Sequence, residues 1–270
     1  MFASLLKRVR ETVPLVHNIT NYVTVCDCAN AVLAIGGSPI MADDVDEVCD
    51  ITSGCNALVL NLGTLNQRTI PSMIAAGKYA NRMGHPVVLD PVGAGASSLR
   101  RETLALLLRE VHCSVIRGNS SEIRAVAQGS NTIRGVDADF RDAVTEETLK
   151  EALSFAKNLA SKLDTVIALS GAIDIVCDSD RAYVIRNGHP MMARITGSGC
   201  MSSAVIGAFT GANPKQILDA TACAVCTMGL CGERAAAQTN GTGTFRTLLM
   251  DELSTMNETI LNGGIACEIR

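Results

Sequence analysis

The sequence of 270 residues is poor in aromatics, with five Phe, three Tyr and no Trp. Proteins that grip single-stranded nucleic acid stack bases on aromatic faces, and this chain has few to offer. It also lacks a positive excess: 23 Lys and Arg stand against 27 Asp and Glu, a formal net charge of −4. Such a balance does not neutralise a phosphate backbone, so dedicated DNA or RNA binding is not expected. No run of about 18 apolar residues occurs, so no transmembrane helix is expected. The stretch from Met1 to Thr12 mixes Lys7, Arg8, Arg10 and Glu11 with short apolar pieces and lacks the apolar core of a secretory signal. Together these absences predict a cytoplasmic protein with no nucleic-acid and no membrane partner.

Apolar residues, by contrast, make up 47% of the chain and charged residues 19%. That is far too apolar for disorder, and the length suffices for a sizeable core without covalent staples. No linker or composition shift divides the sequence, so a single domain over residues 1–270 is expected. The 11 cysteines are odd in number and scattered, unlike the disulfide framework of a short secreted domain. Most read as small buried hydrophobes. Cys223 and Cys226 form a CxxC pair, but no second pair or His cluster accompanies them, and they sit in an apolar helical stretch.

Gly and Pro punctuate the chain into alternating units. Short apolar runs at Leu15 to Asn18, Ala57 to Asn61, Pro86 to Asp90, Ser114 to Arg117 and Thr165 to Leu169 read as buried strands. Between them, Tyr22 to Ala34, Arg68 to Met83, Leu99 to Glu110, Glu122 to Ala127 and Glu146 to Leu163 read as helices, with a polar loop from Gln128 to Val144. Ile173 to Cys177 and Ala182 to Arg186 flank Asp178-Ser179-Asp180 as a hairpin. The tail reads as three helices: Cys200 to Thr210, Lys215 to Ala237 and Thr244 to Leu261. Strands alternating with helices predict a three-layer α/β/α fold with a mostly parallel sheet. In such sheets ligands bind beyond the carboxyl ends of the strands, which directs attention to residues just after Asn61, Asp90, Arg117, Leu169 and Ile195.

Those places carry chemistry. Asp90-Pro91-Val92-Gly93 puts a carboxylate at a strand end before a glycine-rich turn, which suits a hard cation near phosphate or a simple turn cap. Arg117 at the next strand end can pair with phosphate oxygens. Asn119 and Glu122, three residues apart, have capping-box spacing. Ser170 offers a hydroxyl for a nucleotide or a turn. Gly197-Ser198-Gly199-Cys200 opens an apolar helix, so its amides and the helix dipole would make an anion hole. Cys200 sits at a helix start, where thiol pKa values fall, and is the cysteine least well explained by packing. His17-Asn18-Ile19-Thr20-Asn21 is a polar cluster after a strand, where Thr20 or Asn21 could equally cap the following helix. His85 and His112, beside strand starts, read as structural.

Five motifs in order resemble the hydroxyethylthiazole kinase family of the ribokinase-like superfamily. They are Val16 to Asn21, Gly36 to Met41, Asp90 to Gly93, Arg117 to Ile123 and Thr196 to Cys200, spanning about residues 14 to 250. The resemblance implies transfer of the ATP γ-phosphoryl group to the hydroxyl of 4-methyl-5-(2-hydroxyethyl)thiazole, with Mg²⁺. It implies that Met41, Gly197 and Asn21 meet the thiazole alcohol and that Arg117, Ser170 and Asn119 bind ATP. Asp90 and Glu122 would serve the magnesium–phosphate region, directly or through water. The turn Gly197-Ser198-Gly199 and Cys200 would serve catalysis, with Cys200 standing where many relatives of the superfamily have an Asp proposed as base. Ser198 and Ser170 stand where the family commonly has Thr, and each keeps the hydroxyl. The resemblance further implies a homotrimer with thiazole sites at subunit interfaces. Rival readings are a kinase for another small alcohol such as hydroxymethylpyrimidine, an ADP/ATP-dependent NAD(P)H-hydrate dehydratase, and a nucleotide-binding regulator without catalysis.

Overall fold

The computed structural model of the chain describes residues 2–130 and 144–270. The described residues form one nine-stranded sheet. In chain order its strands are β1 (Leu15–Ile19), β2 (Ser38–Ile40), β3 (Ala57–Asn61), β4 (Val87–Asp90), β5 (Val115–Asn119), β6 (Val166–Ser170), β7 (Asp174–Cys177), β8 (Ala182–Ile185) and β9 (Cys267–Ile269). The spatial order is β2-β1-β3-β4-β5-β6-β7-β8-β9. Pairings from β2 through β6 are parallel; β6–β7, β7–β8 and β8–β9 are antiparallel. The expected mostly parallel α/β/α architecture is therefore observed.

The apolar strand runs are continuous because both faces are covered. Val16, Val59 and Val88 join the core on one side of the sheet, while Leu58, Leu60 and Leu89 join the other. Neighbours along a strand thus go to opposite faces, as pleating requires. The first layer holds α1 (Phe2–Thr12), α2 (Val25–Ile35), α8 (Ser198–Ala212), α9 (Ile217–Ala236) and α10 (Thr242–Thr255). The second holds α4 (Thr69–Met83), α5 (Ser98–Glu110), α6 (Ser120–Gly129) and α7 (Leu149–Leu163). Helix α8 is buried all round from Met201 to Thr210, and its N-terminal turn, Ser198 to Cys200, is partly exposed.

Several boundaries differ from the sequence reading. Thr244 to Leu261 is two helices, α10 and α11 (Glu258–Gly264). The break falls at buried Met256, after which the Asn257 side chain caps α11 by accepting from the Ile260 N–H at 2.9 Å. Helix α7 begins at Leu149 rather than Glu146, because the Thr145 and Thr148 side chains and amides bond to one another in a turn before it. Ile195 ends no strand; it follows a 3₁₀ helix, Pro190–Arg194. Helices α1 and α3 (Val48–Ser53) and strands β2 and β9 are additions to the sequence reading. Most of the polar loop read from Gln128 to Val144 lies outside the described residues. Among the described residues no helix is long and apolar enough to cross a membrane.

Candidate active site

Parallel pairing brings the carboxyl ends of β1, β3, β4, β5 and β6 to one rim, and α8 starts at that rim and runs back along the sheet face toward the start of β3. Register pairs Asn61 with Asp90 and Asn119 with Ser170. The sequence-read residues Asp90, Arg117, Asn119, Glu122, Ser170 and Gly197 to Cys200 therefore gather around one opening.

Gly197 begins this turn in a left-handed conformation, φ +87°, that glycine tolerates and other residues rarely adopt. It has no side chain to cap α8. The first return bond runs from the Met201 N–H to the Gly197 carbonyl at 2.8 Å, so the amides of Ser198, Gly199 and Cys200 precede all intrahelical bonding. Gly199 leaves room for Arg117: a Cβ there would meet the guanidinium at 2.5 Å and require it to move. Arg117 donates to the Ser170 hydroxyl at 2.9 Å and forms no ion pair among the described residues. A half-buried arginine with most of its donors unspent thus faces three free amides.

This mouth opens into a cavity of about 530 Å³ between β6, β7 and α9. Arg117, Ser170 and Ser198 line its polar end, and Val176, Val225 and Met228 belong to its apolar wall. Size and division suit a nucleotide, with the base among apolar groups and the phosphates at the helix start.

Asp90 lies beneath the α8 turn and is fully buried. Its Oδ2 accepts from the Ser203 hydroxyl at 2.7 Å and from Asn61 Nδ2 at 2.8 Å, while Oδ1 has no partner. It caps nothing; Ser97 caps α5 instead. Burial pushes the Asp90 carboxyl up to about 6, partly opposed by Arg117 and the Ser203 hydrogen bond. An acceptor-only group buried with one oxygen unmet is suited to a cation or a polar substrate group.

Asn119 and Glu122 do form the capping box. The Asn119 side chain accepts from the Glu122 N–H at 3.0 Å, and Glu122 Oε2 accepts from the Asn119 N–H at 2.9 Å. Glu122 Oε1 also accepts from the Gly93 N–H at 3.0 Å, tying the Asp90 turn to α6.

Cys200, the third residue of α8, is half-buried. Its Sγ accepts from Asn21 Nδ2 and Asn61 Nδ2, each at 3.3 Å. The expectation of a lowered thiol pKa is overturned. Burial and the neighbouring Asp90 carboxylate raise it, and bonds from Thr24, Asn61 and Asn21 offset only part of that. Of the other ten cysteines, Cys223 and Cys226 are fully buried in α9, as read, but Cys26 is exposed. Met41 lies one residue past the last β1–β2 register pair, His17 with Ile40, and packs half-buried on the α8 side of the sheet. His17 is buried within β1; its Nε2 bonds the Ala42 carbonyl at 2.8 Å and its Nδ1 bonds Thr52 at 3.0 Å. Asn61 and Ser203 were not singled out in the sequence. Asn61 ends a strand as Asp90 does, which is a signal that could have found it; Ser203 carries none. Arg117, read at a strand end, lies two residues before the end of β5.

This arrangement is that of the ribokinase-like fold. A solved ribokinase-like superfamily protein from Enterococcus faecalis V583 superposes with a TM-score of 0.63 over 92% of this chain and 89% of that one, at 10% identity. At such identity the likeness concerns the fold alone. Closer relatives narrow it. The model of the hydroxyethylthiazole kinase family matches residues 6–259. Hydroxyethylthiazole kinase of Clostridium acetobutylicum is 53% identical over 94% of each chain, and that of Desulfovibrio desulfuricans is 52% identical over 95% of this chain and 94% of its own. A solved hydroxyethylthiazole kinase protein from Pyrococcus horikoshii OT3 has a TM-score of 0.90 at 36% identity, covering 100% of this chain and 98% of its own. The chain belongs to the hydroxyethylthiazole kinase family.

Proposed function

We infer that the protein transfers the γ-phosphoryl group of ATP to the hydroxyl of 4-methyl-5-(2-hydroxyethyl)thiazole, a step of thiamine synthesis and salvage. The products are 4-methyl-5-(2-phosphoethyl)thiazole and ADP. The observation that carries this reading is the uncapped start of α8, whose free amides face Arg117 while its third residue, Cys200, sits over the Asp90 pad.

ATP fills the cavity with its phosphates against Arg117, Ser170 and the Ser198–Cys200 amides, beside Asn119. As the bond from the γ-phosphorus to the bridging oxygen breaks, the alcohol oxygen bonds to phosphorus and its proton is released. A loose transition state of this kind needs charge stabilisation and alignment more than a strong base. The fixed amides and guanidinium supply both without reorganising. Cys200, held as a thiol by its raised pKa, orients the hydroxyl rather than taking its proton. Asn21, Gly197 and Met41 border the thiazole.

Mg²⁺ fits these residues: Asp90 offers one buried unmet oxygen, and this ion commonly takes one or two carboxylates plus substrate phosphates. Asp90 would hold it, with Glu122 reaching it through water because its own oxygens serve backbone amides. When bound, the ion neutralises phosphate charge.

The chain works as one domain, and three copies assemble with the thiazole site at their contact. Exposed large apolar side chains support this: Leu33 on α2, which packs on the edge strand β2, Val45 after β2, and Tyr22 and Val23 in the turn before α2. The test is purified protein with Mg-ATP and a panel of the thiazole alcohol, hydroxymethylpyrimidine and hydrated NADH, scored for ADP and phosphorylated product. Phosphothiazole is expected; turnover of only the pyrimidine or the hydrate overturns the reading. Light scattering should give three chains per particle, and an active monomer would refute the shared site.

A further inference from the structure

Asn61 spends its whole hydrogen-bonding capacity on the site. It is 1% exposed and ends β3. Its Oδ1 accepts from the Gly63 N–H at 2.9 Å and from Asn21 Nδ2 at 3.1 Å. Its Nδ2 donates to Asp90 Oδ2 at 2.8 Å and to Cys200 Sγ at 3.3 Å. A primary amide has two donors and two acceptor sites, so none is left over.

The network also has a fixed direction. Backbone N–H groups can only donate. The Thr24 N–H donates to Asn21 Oδ1 at 3.1 Å, which turns the Asn21 NH₂ toward Asn61 and Cys200. The Gly63 N–H fixes the Asn61 oxygen in the same manner. A flipped Asn61 would set its NH₂ against the Gly63 N–H and its oxygen against the Asp90 carboxylate. Both amides therefore present donors to Sγ, and the sulfur's own S–H, beside the Thr24 hydroxyl, is its one donor.

We propose that Asn61 is a positioning residue for phosphoryl transfer, acting through Cys200. It fixes the thiol as a hydrogen-bond donor toward the alcohol oxygen and holds it in step with Asp90. One amide thereby couples the alcohol end of the site to the phosphate end. This rests on the kinase reading above, and deepens it.

The test is a double-mutant cycle of Asn61→Ala and Cys200→Ala. It is run on whichever alcohol of the panel the wild-type protein phosphorylates. Asn61→Ala should lower kcat about 100-fold, the cost of a small misplacement at a reacting centre, with the KM for ATP changed less than about twofold. In the Cys200→Ala background the same substitution should cost less than about threefold, because residues that act as a unit are not additive. A purely structural role would lower stability and multiply the two effects. Multiplicative losses, or a single variant within about twofold of wild type, overturn the proposal. Should Asn61→Ala fail to fold, Asn61→Ser replaces it in the same cycle under the same criteria. A wild-type protein that phosphorylates a different alcohol breaks only the thiazole reading; one that phosphorylates none overturns both.

Discussion

Helices α6 and α8 begin on the same rim, α6 directly after β5 and α8 after a 3₁₀ turn, and they begin differently. At α6, the Asn119 side chain and the Glu122 carboxylate satisfy each other's backbone amides, and Glu122 takes the Gly93 amide as well. At α8, Gly197 offers no cap and three amides face open space. A cap of the α6 kind contributes roughly 1 kcal/mol to stability. The second helix forgoes it, and its unsatisfied donors are left for the phosphate oxygens of the proposed reaction. The same physics of helix ends yields a cap in one place and a candidate site in the other.

If α8 holds the transferring group, losses of activity should concentrate there. Arg117→Ala should be the most damaging, with kcat down on the order of 1,000-fold as a stabilising charge is lost. Near-normal kinetics would remove Arg117 from the phosphate site.

Asp90→Asn should lower activity comparably while making the protein more stable. The folded-state pKa of Asp90 is raised from the model-peptide value to about 6. The stability it contributes is present below its unfolded pKa and is lost as pH rises through about 6, by up to about 3 kcal/mol. At pH 7 the charge is a burden, and Asn removes it. Asn also suits the geometry, since one oxygen already accepts both bonds. Thermal melts at pH 5 and pH 7 should show the variant's advantage only at the higher pH. An unchanged or lower Tm at pH 7 would contradict the raised pKa.

Gly199→Ala should lower kcat about 100-fold, because the added methyl must displace Arg117. Stability should change little by comparison, and equal losses at Gly95, where a Cβ meets open space, would defeat the comparison. Cys200→Ala should cost about 10- to 100-fold, the range of a positioning group. The pH–rate profile should show no step between about pH 7 and 8.5 that disappears in this variant, because the thiol pKa is raised. A loss beyond about a million-fold would make Cys200 more than a positioning group.

The smallest effect belongs to α6. Asn119→Ala should lower stability by about 1 to 2 kcal/mol in denaturant melts while leaving most activity. A large loss of kcat with an unchanged melt would make Asn119 a nucleotide ligand first and a cap second.

These contrasts also explain what the sequence could reveal. Continuous apolar runs such as Ala57 to Asn61 and Thr165 to Leu169 marked the strands because burial on both faces leaves no polar alternation. The glycine-rich helix start and Arg117 were legible because backbone approach and charge at a strand end are local signals. Strands β2 and β9 were not, since three residues carry too little pattern. The break at Met256 was hidden because a buried Met looks helical until Asn257 is seen to cap. The raised Cys200 thiol was misread for a related cause: helix position is local, whereas burial beside Asp90 joins residues 110 positions apart. Asn61 escaped because an asparagine at a strand end is ordinary until its four partners are known.

The two outer strands bear on the proposed assembly of copies of this chain. β2 and β9 are each three residues long, and β2 carries Pro39, which has no amide hydrogen to offer. Two such short borders, one of them carrying a proline, are poor templates for a further strand, so the sheet resists growth into a shared or fibrillar ribbon. In the proposed assembly, contact between copies is left to exposed side chains such as Tyr22 and Val23. It can therefore be tuned or abolished by point substitution without touching the hydrogen-bonded frame that carries the chemistry.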